Sequence, residues 1–208
     1  MNPSTLWLNY RKTHFRNPLM SKKPVLLLAL LLTTSQAHSR GIDLKLAEEM
    51  VEITYLTESS TFGYGGADIG FGAFFNEDND YQFNLEAMIT GSPAGNNKAL
   101  QLGVGGKIMY TSFDRINEEA GALAIAGKIR YVIPSSTPVA FVGTLYYAPG
   151  ITSFSGADSF IEYRFAVEVE VTPSARAYLG YRFMEYEFET GNDYELDDSV
   201  HVGIKIDF

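Results

Sequence analysis

Residues 199–208 read SVHVGIKIDF, and this stretch decides the fold class. Every second residue is apolar, and this set is Val200, Val202, Ile204, Ile206 and Phe208. The residues between them are His201, Gly203, Lys205 and Asp207. Successive side chains of a β-strand point to opposite faces, so the spacing predicts a strand with one apolar and one polar face.

The same alternation runs through most of the preceding chain, and after Gly41 no segment has a convincing helical period. The ten predicted strands are 41–47, 50–57, 62–75, 81–89, 101–110, 122–131, 137–148, 161–171, 175–189 and 200–208. Eight strands is the alternative, if the first pair is not inserted in the sheet. In the segment 175–189 the apolar phase slips near Phe183, which indicates either a β-bulge or the end of the apolar band.

The length of these strands and the end of the chain favour a membrane barrel. The strands exceed the about 5–6 residues usual in globular proteins and match the about 9–11 tilted residues that cross a bilayer. The last strand ends on Phe208, and this ending is similar to the C-terminal signal by which outer-membrane barrels are recognised for assembly. Lipid offers no partner to an unpaired backbone group, so the sheet has to close. We therefore predict an all-β fold, a transmembrane antiparallel up-and-down barrel.

Aromatic residues near strand ends are expected at the headgroup levels of the membrane. They are Tyr81, Tyr110, Phe113, Tyr131, Tyr146, Tyr147, Phe160, Tyr181, Phe183 and Phe208. A soluble β-domain favours the same residue types and also alternates, so a soluble barrel that binds a small apolar ligand stays open as an alternative.

Clusters of Gly, Pro, Asn, Asp and Ser predict the turns. They lie at 58–61, 76–80, 91–98, 113–119, 134–137, 149–157, 172–174 and 191–198. An even strand number puts both termini in the periplasm. The turns 134–137 and 172–174 are then expected in the periplasm, and 76–80, 113–119, 149–157 and 191–198 outside the cell.

The N-terminus has the pattern of a signal peptide. Lys22 and Lys23 precede a short apolar run at 24–32, and Ser35 and Ala37 have the spacing that signal peptidase accepts. We predict cleavage after Ala37, with cleavage after Ser39 as the next choice. Residues 1–19 are polar, and Met20 is the alternative start of translation. The expected domains are thus a leader over 1–37 and an outer-membrane barrel over 38–208 of a Gram-negative bacterium.

Composition excludes several classes of protein. The 208 residues contain no cysteine, which excludes a disulfide scaffold and a thiolate metal site. A formal charge of −9 argues against a partner of nucleic acid. Removal of 1–37 leaves 11 basic and 25 acidic residues in 171, a formal charge of −14.

Four stretches carry a resemblance to a known family. They are GKIMYTSFD (106–114), GALAIAGKIRY (121–131), the run from YYAP to LGYRF (146–183) and LDDSVHVGIKIDF (196–208). Together they resemble the YfaZ family of outer-membrane proteins, most strongly from Gly105 onward. The resemblance implies a small porin-like barrel, and it brings no catalytic residue and no cofactor.

The polar faces of the strands predict a lumen of nearly balanced charge. Seven basic and eight acidic residues are expected there, and they are Asp43, Lys45, Glu52, Asp68, Glu86, Lys107, Lys128, Arg130, Glu162, Arg164, Glu168, Glu170, Arg182, Lys205 and Asp207. Such charges pair within a narrow barrel, which favours a closed structural barrel. Small residues between them, which are Gly103, Gly105, Ala122, Ala124 and Ala126, would leave space and favour a narrow channel for ions or small solutes. A closed structural barrel and a narrow channel both remain possible interpretations of the sequence.

Three further residue patterns could indicate a catalytic, metal-binding or phosphate-binding site. Ser199 and His201 share a face, and with Glu162 or Asp198 they would form a lipid hydrolase, the enzymatic alternative to an expected non-enzyme. The acidic cluster of Asp193, Glu195, Asp197 and Asp198 would bind divalent cations, although a solvated loop is the simpler interpretation. The glycines Gly63, Gly65, Gly66, Gly70 and Gly72 indicate strand curvature or close packing, because no lysine follows them as in a phosphate loop.

The expected partners follow from the barrel. They are outer-membrane lipids and lipopolysaccharide, and the barrel-assembly machinery through the strand that ends at Phe208. No metal site is expected.

Overall fold

The computed structural model describes residues 40–59, 67–93 and 99–208. The predicted leader at 1–37, residues 62–66 of the third predicted strand and Gly63, Gly65 and Gly66 lie outside the described residues. Among the described residues, the one helix is a 3₁₀ turn at Gly150–Thr152, and no helix is long and apolar enough to cross a membrane.

The described chain is almost entirely β-strand. The strands are β1 (Arg40–Leu46), β2 (Met50–Ser59), β3 (Ala67–Asn76), β4 (Tyr81–Gly91), β5 (Leu100–Phe113), β6 (Glu118–Ile133), β7 (Val139–Ala148), β8 (Ser153–Phe154), β9 (Ala157–Thr172), β10 (Ala175–Phe188) and β11 (Asp193–Asp207). β8 has two residues and pairs with β6 beyond the end of β7. The ten others are the long strands.

The long strands form a closed antiparallel sheet. Each pairs with its neighbour in the chain, and β9 follows β7 directly. β1 also pairs with β11, from Gly41 opposite Asp207 to Leu46 opposite Val202, and this pairing completes the ring. The prediction of a ten-stranded barrel is therefore confirmed.

The two faces of the wall differ as the alternation predicts. Large apolar side chains are exposed on the outside of every long strand, for example Ile42, Ile53, Phe71, Leu85, Ile108, Ile125, Phe141, Phe165, Leu179 and Val202. Charged side chains such as Lys45, Glu52, Lys107, Glu162 and Arg182 are buried inside. The barrel is thus apolar on the outside and polar in the lumen.

The turns lie at two ends of the barrel. The end that holds Arg40 and Phe208 we call the terminal end, and it also holds the predicted turns 134–137 and 172–174. The opposite, distal end holds the turns at 77–80, 114–117, 149–156 and 189–192. At the last of these, Gly191 has a φ of 75°, a conformation that glycine adopts without strain.

The predicted turn at 191–198 was wrong in extent. β11 begins at Asp193, and residues 193–198 pair with β10 as strand. A register shift lies between Met184 and Glu185, where Leu196 is the extra residue of β11. The shift puts Leu196 and Asp197 both inside the barrel. The phase slip near Phe183 marks the end of the outward apolar band, because β10 itself has no extra residue there.

Near the distal end the inward-facing residues become apolar and the outward-facing residues become acidic, although the same alternate residues of each strand still face inward. The strand β10 shows this change. Along β10 the even-numbered residues face inward throughout. Arg182 is the last inward charge, and Met184, Tyr186 and Phe188 follow it inside. On the outside, Leu179, Tyr181 and Phe183 give way to Glu185 and Glu187. This part of the barrel therefore has an apolar core and an acidic exterior, as a soluble β-domain has.

The reversal corrects the expectation for three aromatic residues. Phe113, Tyr146 and Phe160 are buried inside the barrel and not at its outer surface. The other aromatic residues of that set face outward, and they are Tyr81, Tyr110, Tyr131, Tyr147, Tyr181, Phe183 and Phe208. Proximity to a strand end was the wrong criterion, because it does not distinguish the two faces.

A pair of Ile→Arg variants tests whether the apolar exterior faces lipid. Ile204 is 40% exposed in the middle of the outward apolar run of β11, and Ile151 is 94% exposed in a distal turn. We expect Ile204→Arg to lower the free energy of unfolding from lipid vesicles by about 2–4 kcal/mol, the cost of arginine near the bilayer midplane. Ile151→Arg should change it by less than about 0.5 kcal/mol. Equal urea midpoints for the two variants in vesicles would contradict a lipid-facing belt.

Candidate functional site

The strands enclose a lumen, and its middle holds a layer of charges. Four basic and four acidic side chains form this charged layer, and they are Lys45, Lys107, Arg164, Arg182, Glu52, Glu86, Glu162 and Asp197. They come from β1, β2, β4, β5, β9, β10 and β11. Equal numbers of each sign make the layer neutral in formal charge.

One half of the charged layer is organised around Arg182, which has no exposed surface. Its Nε donates to Oδ2 of Asp197 at 2.6 Å, and its Nη1 donates to Oε2 of Glu52. Its guanidinium carbon lies 4.9 Å from the ring centroid of Phe74. Glu52 also accepts from Nζ of Lys45 at 2.6 Å, so each charge of this half has a partner of opposite sign.

The other half is organised around Glu162. This carboxylate accepts from Nζ of Lys107 at 2.5 Å and from Nε of Arg164. The hydroxyl of Tyr146 donates to Glu86 at 2.9 Å. The ring centroid of Tyr146 lies 5.0 Å from Nζ of Lys107 and 5.0 Å from the guanidinium carbon of Arg164. Cations over an aromatic face gain additional stabilisation where water is excluded.

A plug of apolar side chains lies on the distal side of the charged layer. We call it the aromatic plug, and its members are Phe74, Phe113, Phe160, Met184 and Tyr186, each 0% exposed. The Tyr186 ring centroid lies 5.4 Å from that of Phe113 and 4.6 Å from that of Phe160.

The Tyr186 hydroxyl, the polar group of the aromatic plug, is hydrogen-bonded. The hydroxyl of Tyr186 lies 2.8 Å from that of Thr111, and it accepts from Nε2 of Gln82 at 3.1 Å. Gln82 also donates to Thr111 at 3.0 Å. A buried hydroxyl without partners would destabilise the fold, so this triangle allows tyrosine in the core.

The terminal half of the lumen is open by comparison. A cavity of about 130 Å³ lies there, and we call it the terminal cavity. Charged residues on its wall are Asp43, Lys45, Asp68, Glu86, Lys128, Arg164, Glu168 and Lys205, together with Tyr178 and His201. Tyr178 lies over Gly203, where a Cβ atom would collide with its ring, and its hydroxyl donates to Asp43.

The nine residues singled out as lumen charges occupy three levels. Lys107, Glu162 and Arg182 are buried in the charged layer, which Arg164 completes on the side of the terminal cavity. Lys128, Glu168 and Lys205 line the terminal cavity. Arg130 donates to Glu168 at 3.1 Å and to Gln101 at 3.3 Å. Glu170 is half-buried opposite Arg176 of β10.

The small residues that favoured an open channel lie against larger groups of neighbouring strands. Ala122, Ala124 and Ala126 are buried in the same apolar cluster as Met109, Phe113 and Phe160. A Cβ atom at Gly105 would lie 3.0 Å from Cα of Met88, and closer to the carbonyl of Ala87. Small residues on one wall accommodate large side chains from other strands, which the sequence of one strand does not reveal.

The carboxylates of the acidic cluster near 193–198 do not converge on one point. Asp197 lies inside the barrel on Arg182, whereas Asp198 lies outside and accepts from the Tyr181 hydroxyl at 2.5 Å. The two carboxylates are on opposite faces of β11. Within the described ranges, no group of three or more acidic, histidine or cysteine residues has the geometry to hold a metal ion.

Ser199 and His201 do face the lumen, as their spacing predicts, but they are not bonded to each other. The Ser199 hydroxyl donates to Asp197 at 2.7 Å. His201 is buried, and its Nδ1 has no hydrogen-bond partner. A serine–histidine pair requires the hydroxyl to donate to the imidazole, and here it donates to Asp197 instead.

Tyr146, Tyr178 and Gln82 are lumen residues that the search for charges missed. The position of Tyr146 near a strand end predicts a headgroup location, and Tyr178 and Gln82 carry no charge. Their inward position follows from even numbering on β7, β10 and β4, so strand parity alone would have found them.

Comparison with known proteins identifies the family of this chain. A family model described as YfaZ precursor matches residues 20–208. The chain belongs to the YfaZ family. The resemblance seen in the sequence is therefore confirmed, and the matched range takes in every strand of the barrel. No curated protein matches the YfaZ chain significantly.

Two solved structures are similar to this YfaZ protein in outline. One is a bacterial polysaccharide outer membrane secretin, with 9% identity and a TM-score of 0.43 over 81% of this chain and 69% of that one. The other is the NanC porin, with 14% identity and a TM-score of 0.40 over 82% of this chain and 99% of that one.

Removal of the central cation should destabilise the YfaZ barrel strongly. Arg182→Met leaves Asp197 without its cationic partner and Glu52 with Lys45 as its remaining ion pair, and breaking a buried pair costs about 3–5 kcal/mol. Arg115→Met is the matched control. Arg115 pairs with Asp78 at 3.2 Å at the exposed distal surface, and this hydrogen bond raises the pKa of Arg115. An exposed pair contributes at most about 1 kcal/mol. Urea unfolding of the refolded proteins measures both, and similar losses would refute the role of the charged layer.

Two Gly→Ala variants test the close packing of the lumen. Gly203→Ala forces Tyr178 away from the wall and should cost about 1–3 kcal/mol, as overpacking does. A Cβ atom at Gly127, on the outer face of β6, meets nothing within 4 Å. Gly127→Ala should therefore be neutral or stabilise by up to about 1 kcal/mol, because alanine loses less backbone entropy. The reverse order of unfolding free energies would show that Tyr178 does not lie over Gly203.

Proposed function

We propose that this protein is an integral outer-membrane barrel whose lumen is closed in its distal half, and that its role is structural rather than that of an open pore. The observation that carries the proposal is the complete burial of Arg182 between two carboxylates and beneath the aromatic plug. A conducting path needs a continuous column of water, and side chains with no exposed surface leave none at this level.

The exterior of the barrel supports the membrane location. A soluble barrel that binds an apolar ligand needs an apolar lumen and a polar exterior, whereas here exposed apolar residues surround every long strand. An apolar belt on a closed sheet is the form in which β-proteins cross a bilayer. Membership of a family described as a precursor is consistent with export.

The interior supports a role without catalysis. The Ser199 hydroxyl donates to Asp197, which is itself bound to Arg182, and not to His201, so the serine–histidine pair of a lipid hydrolase is not assembled. The charged layer consists of mutually paired groups, which is the arrangement of a structural network.

Planar-bilayer recording of the refolded protein tests the closed lumen. We expect the wild type to give no current steps over a range of voltages and salt concentrations. Arg182, Met184 and Tyr186 follow one another along the inner face of β10. The triple variant Arg182→Ala, Met184→Ala and Tyr186→Ala removes this column and should conduct.

The control for this experiment changes the same strand on its outer face. Leu179→Ala, Tyr181→Ala and Phe183→Ala remove as many side chains without opening the lumen, and this variant should stay silent. A gel shift between boiled and unboiled samples verifies that each variant is folded. Regular current steps from the wild type would overturn the proposal.

A further inference from the structure

We propose that the distal part of β11 binds an extended, basic segment of a partner protein, which adds to the barrel wall as a further strand. This interaction goes beyond the structural role proposed above and does not depend on a closed lumen. Three features carry the inference, which are a gap in the wall beside β11, unpaired backbone groups that face this gap, and acidic side chains around it.

The gap arises because β1 and β2 end early. On its β10 side, β11 is paired as far as Asp193, whereas on its β1 side the pairing ends at Val202, opposite Leu46. β1 stops there because the chain turns into β2, and the N–H of Ala47 donates to the carbonyl of Met50 across this turn. Residues 193–201 of β11 therefore have no neighbour on that side among the described strands, and we call them the free edge.

The backbone groups that face the gap belong to Val200 and Asp198. Phe208 exchanges N–H···O bonds with the first residue of β1, whereas Asp207 donates to Ser174, which precedes β10. Alternate residues of an antiparallel strand direct their backbone groups to the same neighbour, so the even-numbered residues of β11 face β1. At Val200 and Asp198 this neighbour is missing, and in the described part of the chain their backbone groups on this side have no other partner.

The free edge accommodates a short, extended polypeptide. The bulge at Leu196 interrupts its regular spacing on one side, and the turn between β1 and β2 limits it on the other. Within these limits the edge offers the N–H and the C=O of both Val200 and Asp198. A strand added to a sheet edge satisfies such groups with its own regular series of donors and acceptors. Lipids and sugars have no such series, so a protein segment is the matching partner.

The side chains around the free edge are acidic. Exposed carboxylates lie on β11 and on the turn between β1 and β2, and they are Asp193, Glu195, Asp198, Glu48 and Glu49. In the described chain, the turns of the distal end contribute one basic residue, Arg115, and it is paired with Asp78. Opposite charges at an interface favour association of the correct partner. The surroundings of the gap therefore favour a segment that carries lysine or arginine.

The repulsion among these carboxylates is not relieved by the rest of the described structure. Strand pairing places Glu195 opposite Glu185 and Asp193 opposite Glu187, and none of the four is in an ion pair. Like charges directly opposite each other destabilise a sheet. Partial burial, together with repulsion from its three acidic neighbours, raises the pKa of Glu185. Basic side chains on an added strand would reduce this repulsion.

Fluorescence anisotropy of labelled peptides, titrated with the refolded protein in non-ionic detergent, tests the site. We expect saturable binding of one equivalent of a peptide that alternates lysine and valine. A peptide that alternates glutamate and valine should not bind, because the gap is acidic. The lysine–valine peptide with methylated backbone nitrogens keeps its charge but cannot donate to the edge, and its affinity should be lower by at least about tenfold.

Hydrogen exchange followed by NMR locates the bound peptide. In the protein without peptide, the amides of Val200 and Asp198 should exchange rapidly, because they lack a hydrogen-bond partner. The lysine–valine peptide should protect both of them. Protection confined to other parts of the barrel would contradict binding at the free edge.

Variants of the barrel separate backbone pairing from charge. Val200→Pro removes one N–H of the free edge without breaking a bond of the barrel, since proline is tolerated where the N–H faces away from the sheet, and it should abolish binding. The double variant Glu195→Gln and Asp198→Asn should lower the affinity about tenfold. Asp158→Asn is the matched control. Asp158 is exposed on β9, which β10 separates from β11, so this variant should bind as the wild type does.

The gel shift confirms that each variant is folded. No saturable binding of the lysine–valine peptide, equal affinity for its methylated form, or unchanged affinity of the folded Val200→Pro variant would overturn the proposed interaction. Sedimentation of the protein without peptide tests the other occupant of the edge. A dimer that Val200→Pro dissociates would assign the free edge to a second copy of this chain and overturn the proposal. Current steps in the bilayer recording would overturn the closed lumen and leave the peptide affinity unaffected.

Discussion

The pairing of β1 with β11 is the constraint on which the rest of the structure depends. Once the sheet is closed, every side chain faces either the enclosed lumen or the surrounding medium, and no intermediate position exists. Where the medium is lipid, the outer face has to be apolar and the inner face holds the charges. At the distal end the same wall carries an apolar core and acidic exterior, as on β10 beyond Phe183. One uninterrupted strand thus has an outer face suited to lipid along one part and an outer face suited to water along the other.

The strand pattern could be predicted from sequence because its period of two is a local property. The outward apolar set from Val200 to Phe208 reads directly as a strand, and ten such segments define the barrel. The start of β11 at Asp193 could not be predicted in the same way. The acidic residues 193–198 have the composition of a loop, and only the pairing with β10 makes them strand. Tertiary pairing overrode local preference there.

The sequence predicts which charged residues face the lumen, but it does not predict which of them pair with each other. Parity places Arg182 and Glu162 inside, and balanced signs indicate mutual pairing. The partners come from strands far apart in the chain, as with Arg182 and Glu52, so no local spacing identifies them. Parity also failed to show which small residues leave space, because Ala122 and Ala124 are covered by side chains of other strands.

The short first strand leaves part of β11 with a free edge. β1 reaches only Val202, so in the described structure residues 193–201 of β11 have a strand partner on the β10 side alone. Unpaired backbone groups on such an edge invite a strand of another molecule to add to the sheet. Asp193, Glu195 and Asp198 are exposed along this edge. Their like charges repel the same edge of a neighbouring barrel, which disfavours edge-to-edge pairing of two such sheets.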